Sequence, residues 1–187
     1  RNLCQQSINV LVQDNGNGGV FNSSPDFNVL APTAINAAFN LTNPTCFGFC
    51  NGSLAPIVSG ATPPYTYTWS PGNVVVPAPG TLTNACAGSY TLSIKDANNC
   101  SINKTTALTE PSLLVANGTS TNINCFGVCD GTATTAPTGG TSPYTHSWSN
   151  GSHAASISGL CIGSYTDTIK DKNGCTVLYT TTLTQPA

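Results

Sequence analysis

Charge is the scarcest property of this chain. Of 187 residues, five are Lys or Arg and seven are Asp or Glu, for a net charge of -2. A chain so composed has no basic stripe to lay along a phosphate backbone, which excludes nucleic acid as a partner. Methionine is absent. No apolar run is long enough to cross a membrane as a helix, and no long helix-forming stretch stands out. No signal-peptide pattern is read at the start of this sequence. The first residue is Arg, as expected of a processed or excised piece. Solubility therefore rests on Ser, Thr, Asn and Gly, which is the surface of a β-rich protein working outside a cell.

What the chain does have is nine cysteines and a repeat. Cys46, Cys50, Cys86 and Cys100 recur as Cys125, Cys129, Cys161 and Cys175, the first pair at a shift of 79 and the second at 75. Four residues have been lost from one loop between them. Cys46-Phe47-Gly48 returns as Cys125-Phe126-Gly127, Pro64-Tyr65-Thr66 as Pro143-Tyr144-Thr145, and Trp69-Ser70 as Trp148-Ser149. Gly88-Ser89-Tyr90-Thr91 and Lys95-Asp96 return as Gly163-Ser164-Tyr165-Thr166 and Lys170-Asp171. A period of this size means tandem modules. Sliding residues 1–18 forward by 82 puts Cys4 on Cys86, Asp14 on Asp96 and Asn17 on Asn99, with Gly18 where the last cysteine belongs. The organisation expected is the second half of an incomplete repeat at 1–32, then complete repeats at 33–111 and 112–187. Glu110-Pro111 and Gln185-Pro186 mark the boundaries, and a short Pro-stiffened link to an apolar strand at Leu113-Leu114-Val115 makes a semi-rigid string.

Each module reads as short strands. Tyr65, Tyr67 and Trp69 alternate with Thr66, Thr68 and Ser70, and Tyr90, Leu92 and Ile94 alternate with Thr91, Ser93 and Lys95, the period of a half-buried strand. Asp96-Ala97-Asn98-Asn99 and Asp171-Lys172-Asn173-Gly174 are hairpin turns. The fold class is all-β: tandem antiparallel immunoglobulin-like β-sandwich modules stapled by disulfides.

Candidate chemistry is sparse, and no cofactor or metal is expected. The only histidines, His146 and His153, have no repeated Ser or Asp partner, so a hydrolytic triad is not expected and the chain is read as a non-enzyme. Four cysteines per module would make a zinc site only with tight Cys-x-x-Cys knuckles, which are missing. Asp96 with Asn98, or Asp171 with Asn173, reads as a turn capping its own backbone rather than a calcium cage. The row Tyr65, Tyr67, Trp69 and its copy Tyr144, His146, Trp148 is either core or a sugar-stacking platform. Mid-strand placement assigns Trp69 and Trp148 to the core. Asp167 replaces Leu92 on the apolar face, which suggests a strand edge or module end, because an unpaired carboxylate in a core is expensive. Seven Asn-x-Ser/Thr triplets begin at Asn22, Asn40, Asn51, Asn99, Asn103, Asn117 and Asn150. Chance alone supplies roughly five in so polar a chain, and each is a possible glycosylation site no stronger than that.

The cysteines read as a disulfide framework from an oxidising compartment. The pairing expected is nested within each module: Cys46–Cys100 with Cys50–Cys86, and Cys125–Cys175 with Cys129–Cys161. Nesting ties the first strand to the last hairpin. Each bridge then adds roughly 3–4 kcal/mol by chain-entropy reasoning. The short alternative, Cys46 with Cys50, stays open. Cys4 is left as unpaired or intermolecular.

Taken in order, Cys-Phe-Gly-x-Cys, Pro-Tyr-Thr-x-x-Trp-Ser, Cys-x-Gly-Ser-Tyr-Thr and Lys-Asp-x-Asn-x-Cys resemble the SprB-repeat family over residues 33–187. The resemblance implies very long surface proteins of gliding and other bacteria, exported by the type IX route, and it carries over no catalytic residue. It also makes Asp167-Thr168-Ile169 similar to an O-glycosylation site of that bacterial group. The function expected is an extracellular cell-surface structural or adhesive array, a stiff rod or filament. Its partners would be adjacent repeats of the same or neighbouring chains, together with surface polysaccharide. The competing reading is a glycan-binding module appended to a secreted enzyme. The incomplete start needs a complement, expected from a longer polypeptide rather than from a neighbouring subunit.

Overall fold

The computed structural model describes residues 33–72 and 74–186. The readings placed on the half-repeat at 1–32, including Cys4 and Asn22, lie outside the described residues.

All regular structure among the described residues is β. The first repeat supplies β1 (Asn36–Thr42), β2 (Gly52–Ser59), β3 (Thr66–Ser70), β4 (Val74–Val76), β5 (Leu82–Ala85), β6 (Gly88–Lys95) and β7 (Ser101–Leu108). These form a three-stranded sheet in the order β1-β2-β5 and a four-stranded sheet in the order β4-β3-β6-β7. The second repeat supplies β8 (Gly118–Thr121), β9 (Gly131–Thr135), β10 (Ser156–Leu160), β11 (Gly163–Lys170) and β12 (Thr176–Leu183). Its three-stranded sheet runs β10-β9-β8, and β11 pairs with β12. The chain is thus a pair of antiparallel sandwiches of immunoglobulin-like pattern. The lost four residues fall between the Trp strand and the following one. The first repeat uses that stretch for β4, paired to β3 through Tyr67 opposite Val76, and the second has no strand there among the described residues. Its Trp segment lies antiparallel to β11, with Thr145 opposite Lys170 and Trp148 opposite Asp167, and backbone hydrogen bonds join Thr145 to Lys170, Ser147 to Thr168 and Ser149 to Thr166. Leu113-Leu114-Val115 is not a strand. Leu114 is buried, Leu113 is exposed, and Val115 makes a single bridge to Thr138.

The described residues divide into two compact units, built of 33–40, 54–82 and 89–106, and of 41–53, 83–88 and 107–186. In the first, register puts Trp69 opposite Leu92 and Tyr67 opposite Ile94, and Trp69, Leu92, Ile94 and Leu54 are wholly buried. The Trp69 indole lies 5.8 Å from the Phe39 ring and donates to the Gly80 carbonyl at 2.8 Å, so its one polar atom is satisfied inside the core. Gly80 sits at φ +82 under the Tyr67 ring, where a Cβ would stand 2.4 Å from a ring carbon. Only glycine suits both demands.

In the second unit Trp148 clusters with Ala133, Ile157, Leu160 and Leu183, and donates to the Ala154 carbonyl at 2.9 Å. The repeats fill equivalent positions differently. Phe39 of the first repeat corresponds to Gly118 of the second. The freed space is taken by Tyr179, whose ring would lie 2.2 Å from a Cβ on Gly118 and meets Trp148 edge-on at 6.2 Å. Leu54 and Ala85 of the first repeat become Ala133 and Leu160, large and small exchanged. Volume is conserved while identity is not, the substitution that packed cores tolerate best.

Trp69→Ala or Trp148→Ala is expected to cost about 3–5 kcal/mol, because each removes the largest side chain of a small core. Chemical denaturation of single variants measures it. A variant with an unchanged midpoint and lost polysaccharide binding would instead make the indole a platform.

Candidate functional site

Two arrangements stand out, both within the second unit. The first is a joint across the repeat boundary. A carboxylate builds it. Asp171 is buried at the tip of the β11–β12 hairpin. Its Oδ1 accepts from the backbone N–H of Asn173 at 2.9 Å and of Cys175 at 2.8 Å, and its Oδ2 from Thr141 N–H at 2.8 Å. The turn is thereby held in one conformation, an Asx turn extended by two further bonds. Asp96 does the same for Asn98, Cys100 and Thr62 in the first repeat. In both hairpins the turn carboxylate is spent on backbone N–H groups.

The fixed tip presents Asn173 and Cys175 to the loop that carries Cys46. Cys46 and Cys175 are disulfide-bonded, with Cα atoms 5.8 Å apart and 129 residues between them in sequence. Asn173 Nδ2 donates to the Thr45 carbonyl at 3.0 Å and to Thr141 Oγ1 at 3.0 Å. The loop itself is shaped locally. Thr45 N–H donates to Asn51 Oδ1 at 3.0 Å, Phe49 N–H to the Cys46 carbonyl at 3.1 Å, and Gly48 N–H to Glu110 Oε2 at 2.6 Å. Phe47 and Phe49 stand beside the bridge, where they line a recess with Leu113, Leu114 and Gly140. The boundary peptide is tied down as well, since Asn43 Oδ1 accepts from Thr109 N–H at 3.1 Å.

This corrects the pairing expected from the sequence. Cys46 does not bond Cys100, and Cys125 does not bond Cys175. Cys46 reaches into the following repeat because that repeat's hairpin tip, not its own, lies against the Cys46 loop. Cys100 is bonded to another partner, and Cys125 is a free, exposed thiol. The middle cysteines pair inside each repeat, Cys50 with Cys86 and Cys129 with Cys161.

The second arrangement is a buried ionisable cluster. Asp167 is wholly buried in the middle of β11, not at an edge or a module end. His146 Nδ1 lies 2.8 Å from Asp167 Oδ2, the Thr135 hydroxyl donates to the same oxygen at 2.9 Å, and Ser147 N–H donates to Oδ1 at 3.0 Å. The carboxylate is tolerated there because both of its oxygens have hydrogen-bond partners. His146 and Asp167 occupy the positions of Tyr67 and Leu92, so an apolar pair in one repeat is a polar pair in the other. Asp, His and a hydroxyl within reach of one another invite comparison with a nucleophilic triad. Thr135, however, is 2% exposed, and its hydroxyl bonds the carboxylate directly, so no substrate atom can approach it.

The remaining predicted positions are scattered. Asn40, Asn51, Asn99, Asn103, Asn117, Asn150 and Thr168 are all exposed. Two of these amides are occupied: Asn51 Nδ2 donates to Thr45 Oγ1, and Asn117 Nδ2 to Thr138 Oγ1. His153 Nδ1 lies 2.9 Å from the His146 carbonyl, away from any acid.

Residues 38–74 and 117–153 match the family model described as SprB repeat. No curated protein matches the chain. Several solved structures are similar. A three-domain immunoglobulin segment of titin is 15% identical at a TM-score of 0.38, over 83% of this chain and 67% of its own. The N-terminal eight immunoglobulin domains of Down syndrome cell adhesion molecule are 13% identical at 0.42, over 83% and 25%. A C-terminal fragment of intimin, solved with the intimin-binding domain of its translocated receptor, is 16% identical at 0.41, over 82% and 64%. The chain therefore spans a quarter of the adhesion-molecule fragment and less than two thirds of the intimin one.

Asp167→Leu alone is expected to cost about 3–5 kcal/mol, since it strands His146 in a core. Adding His146→Tyr restores the first repeat's pair and should recover more than half of that loss. A double-mutant cycle by denaturant unfolding measures the coupling, and additive costs would show that the two side chains act independently.

Proposed function

From the match of residues 38–74 and 117–153 to the SprB repeat, we propose that this chain is a non-enzymatic, extracellular repeat array whose modules are locked into a stiff cell-surface rod serving structure or adhesion. The repeats are those at 33–111 and 112–187. The observation that carries the reading is the bridge from Cys46 to Cys175, which joins the first cysteine of one repeat to the last of the next. A disulfide across a boundary does no catalytic work. It removes freedom between neighbours, as a load-transmitting array requires. The hydrogen bond from Asn173 to the Thr45 carbonyl crosses the boundary in the same sense, while those of Asn43 and Glu110 tie the end of the first repeat to its own Cys46 loop. Disulfides, a nearly uncharged Thr-rich surface and the match to that repeat favour a place outside the cell, on the surface of a bacterium with the type IX route. Against the glycan-binding alternative, both tryptophans are buried, and an indole in a core offers no face to a sugar.

Cys46→Ser with Cys175→Ser tests the rod. Small-angle scattering of the oxidised chain should give a narrow distribution of maximum dimension, and the double variant a broader one. By chain-entropy reasoning the variant should also lose up to about 5 kcal/mol of unfolding free energy. Scattering curves that superimpose would remove the bridge as the source of stiffness. Binding of the oxidised chain to a polysaccharide array, abolished by Trp→Ala in a still-folded protein, would favour the glycan reading instead.

A further inference from the structure

We propose that the loop around Cys125 is a preformed docking site for the last hairpin of a further SprB repeat, captured there by a disulfide to that hairpin's cysteine. The proposal deepens the array reading above and names its partner surface.

The argument is an internal comparison. The Cys125 loop repeats four backbone N–H bonds of the Cys46 loop. Asn124 N–H donates to Asp130 Oδ1 at 3.0 Å as Thr45 N–H does to Asn51 Oδ1, and Val128 N–H donates to the Cys125 carbonyl at 3.2 Å as Phe49 N–H does to that of Cys46. Gly127 N–H donates to Gln185 Oε1 at 3.2 Å as Gly48 N–H does to Glu110 Oε2. Thr184 N–H donates to Asn122 Oδ1 at 3.1 Å as Thr109 N–H does to Asn43 Oδ1. Gly48 and Gly127 share a φ of +73. The shape is therefore built in advance, before any partner arrives.

The difference is what covers the two loops. Cys46 is 6% exposed beneath the hairpin tip that bonds it, and Cys125 is exposed. Phe126, the counterpart of Phe47, is 73% exposed against 51%, while Val128 is exposed to about the same degree as its counterpart Phe49. Apolar side chains rimming a free thiol in a chain this polar mark an interaction surface. The loop's electrostatics agree. Asp130 bonds Asn124 through both carboxylate oxygens, and the Asn124 amide, followed by its backbone N–H, holds the Asp130 carboxyl below its usual value. The loop thus stays shaped at neutral pH, where the carboxylate is ionised. The occupant is an Asp-x-Asn-x-Cys hairpin tip. Its Asn amide would donate to the Asn124 carbonyl as Asn173 donates to that of Thr45. The hairpin cysteines of this chain, Cys100 and Cys175, are both already bonded, so the tip belongs to a further repeat.

The bond-forming step is thiol–disulfide exchange. Two thiols lose two protons and two electrons, and a disulfide donor is reduced to two thiols. Oxidised glutathione serves as that donor in vitro.

The test appends a second copy of residues 112–187 to the full chain and equilibrates it in a glutathione redox buffer. Peptide mapping should recover Cys125 linked to the added copy of Cys175, with the added copy of Cys129–Cys161 as the sign that the new repeat folded. Phe126→Ser with Val128→Ser should lower the equilibrium constant for that bridge at least tenfold. A second measurement uses the chain as it is. A peptide of sequence 169–178 should form a mixed disulfide at Cys125 at least tenfold more favourably than its scrambled version. Cys125 left free beside a folded added repeat, or a peptide captured no better than its scramble, overturns the proposal. So does a bridge indifferent to Phe126 and Val128, which would be random oxidation. Because mapping reads the bond and not the dimensions of the chain, a failed bridge and a failed rod are separate results.

Discussion

The inter-repeat joint depends on a single carboxylate in a turn. Asp171 accepts three backbone N–H groups and so gives the β11–β12 hairpin one tip conformation. That conformation aims both Asn173 and Cys175 at the Thr45–Cys46 loop, and the hydrogen bond and the covalent bond follow from it. A disulfide needs its Cα atoms within a narrow range of separations. A frayed hairpin tip would meet that condition only a fraction of the time. The cost of ordering the tip is met inside the module, so closing the joint adds no further penalty for the tip itself.

The second constraint is the size of the cores. Each is organised by one tryptophan whose N–H is answered by a backbone carbonyl, Gly80 in one case and Ala154 in the other. Around that anchor the repeats diverge in coupled steps. Phe39 is lost at Gly118 and its volume returns from another strand in Tyr179, while Tyr67 and Leu92 give way together to His146 and Asp167. Neither half of such an exchange is tolerable alone, because one half leaves a void or a clash and the other an unpaired charge. Modules of one family can therefore differ in core chemistry and still present the same loops at their ends.

How much of this was legible in the residues follows from the range of each interaction. The alternation in Tyr65–Ser70 and Tyr90–Lys95 reports strand faces directly, and burial of Trp69 and Trp148 needs nothing beyond a mid-strand position. The Asx turns at Asp96 and Asp171 are local over four residues, so turn chemistry suffices to see them. Asp167 is not the edge position that its break in the pattern suggests. Its partners at His146 and Thr135 lie 21 and 32 residues away, and only the register of the Trp segment against β11 brings them together.

By itself the sequence determined the repeat, its alternating strands at Tyr65–Ser70 and Tyr90–Lys95, the equivalence of its cysteines and its all-β class, because each of these is written in local periodicity. Which cysteine of an equivalent set bonds which was decided by the tertiary structure alone. First-to-last pairing within a repeat and first-to-last pairing between neighbours draw on the same repeated cysteines, and a periodic sequence cannot distinguish a bond to its own copy from a bond to the next. The distinction lies in which hairpin tip comes to rest against the Cys46 loop, and that is a matter of packing across the boundary rather than of any residue's identity.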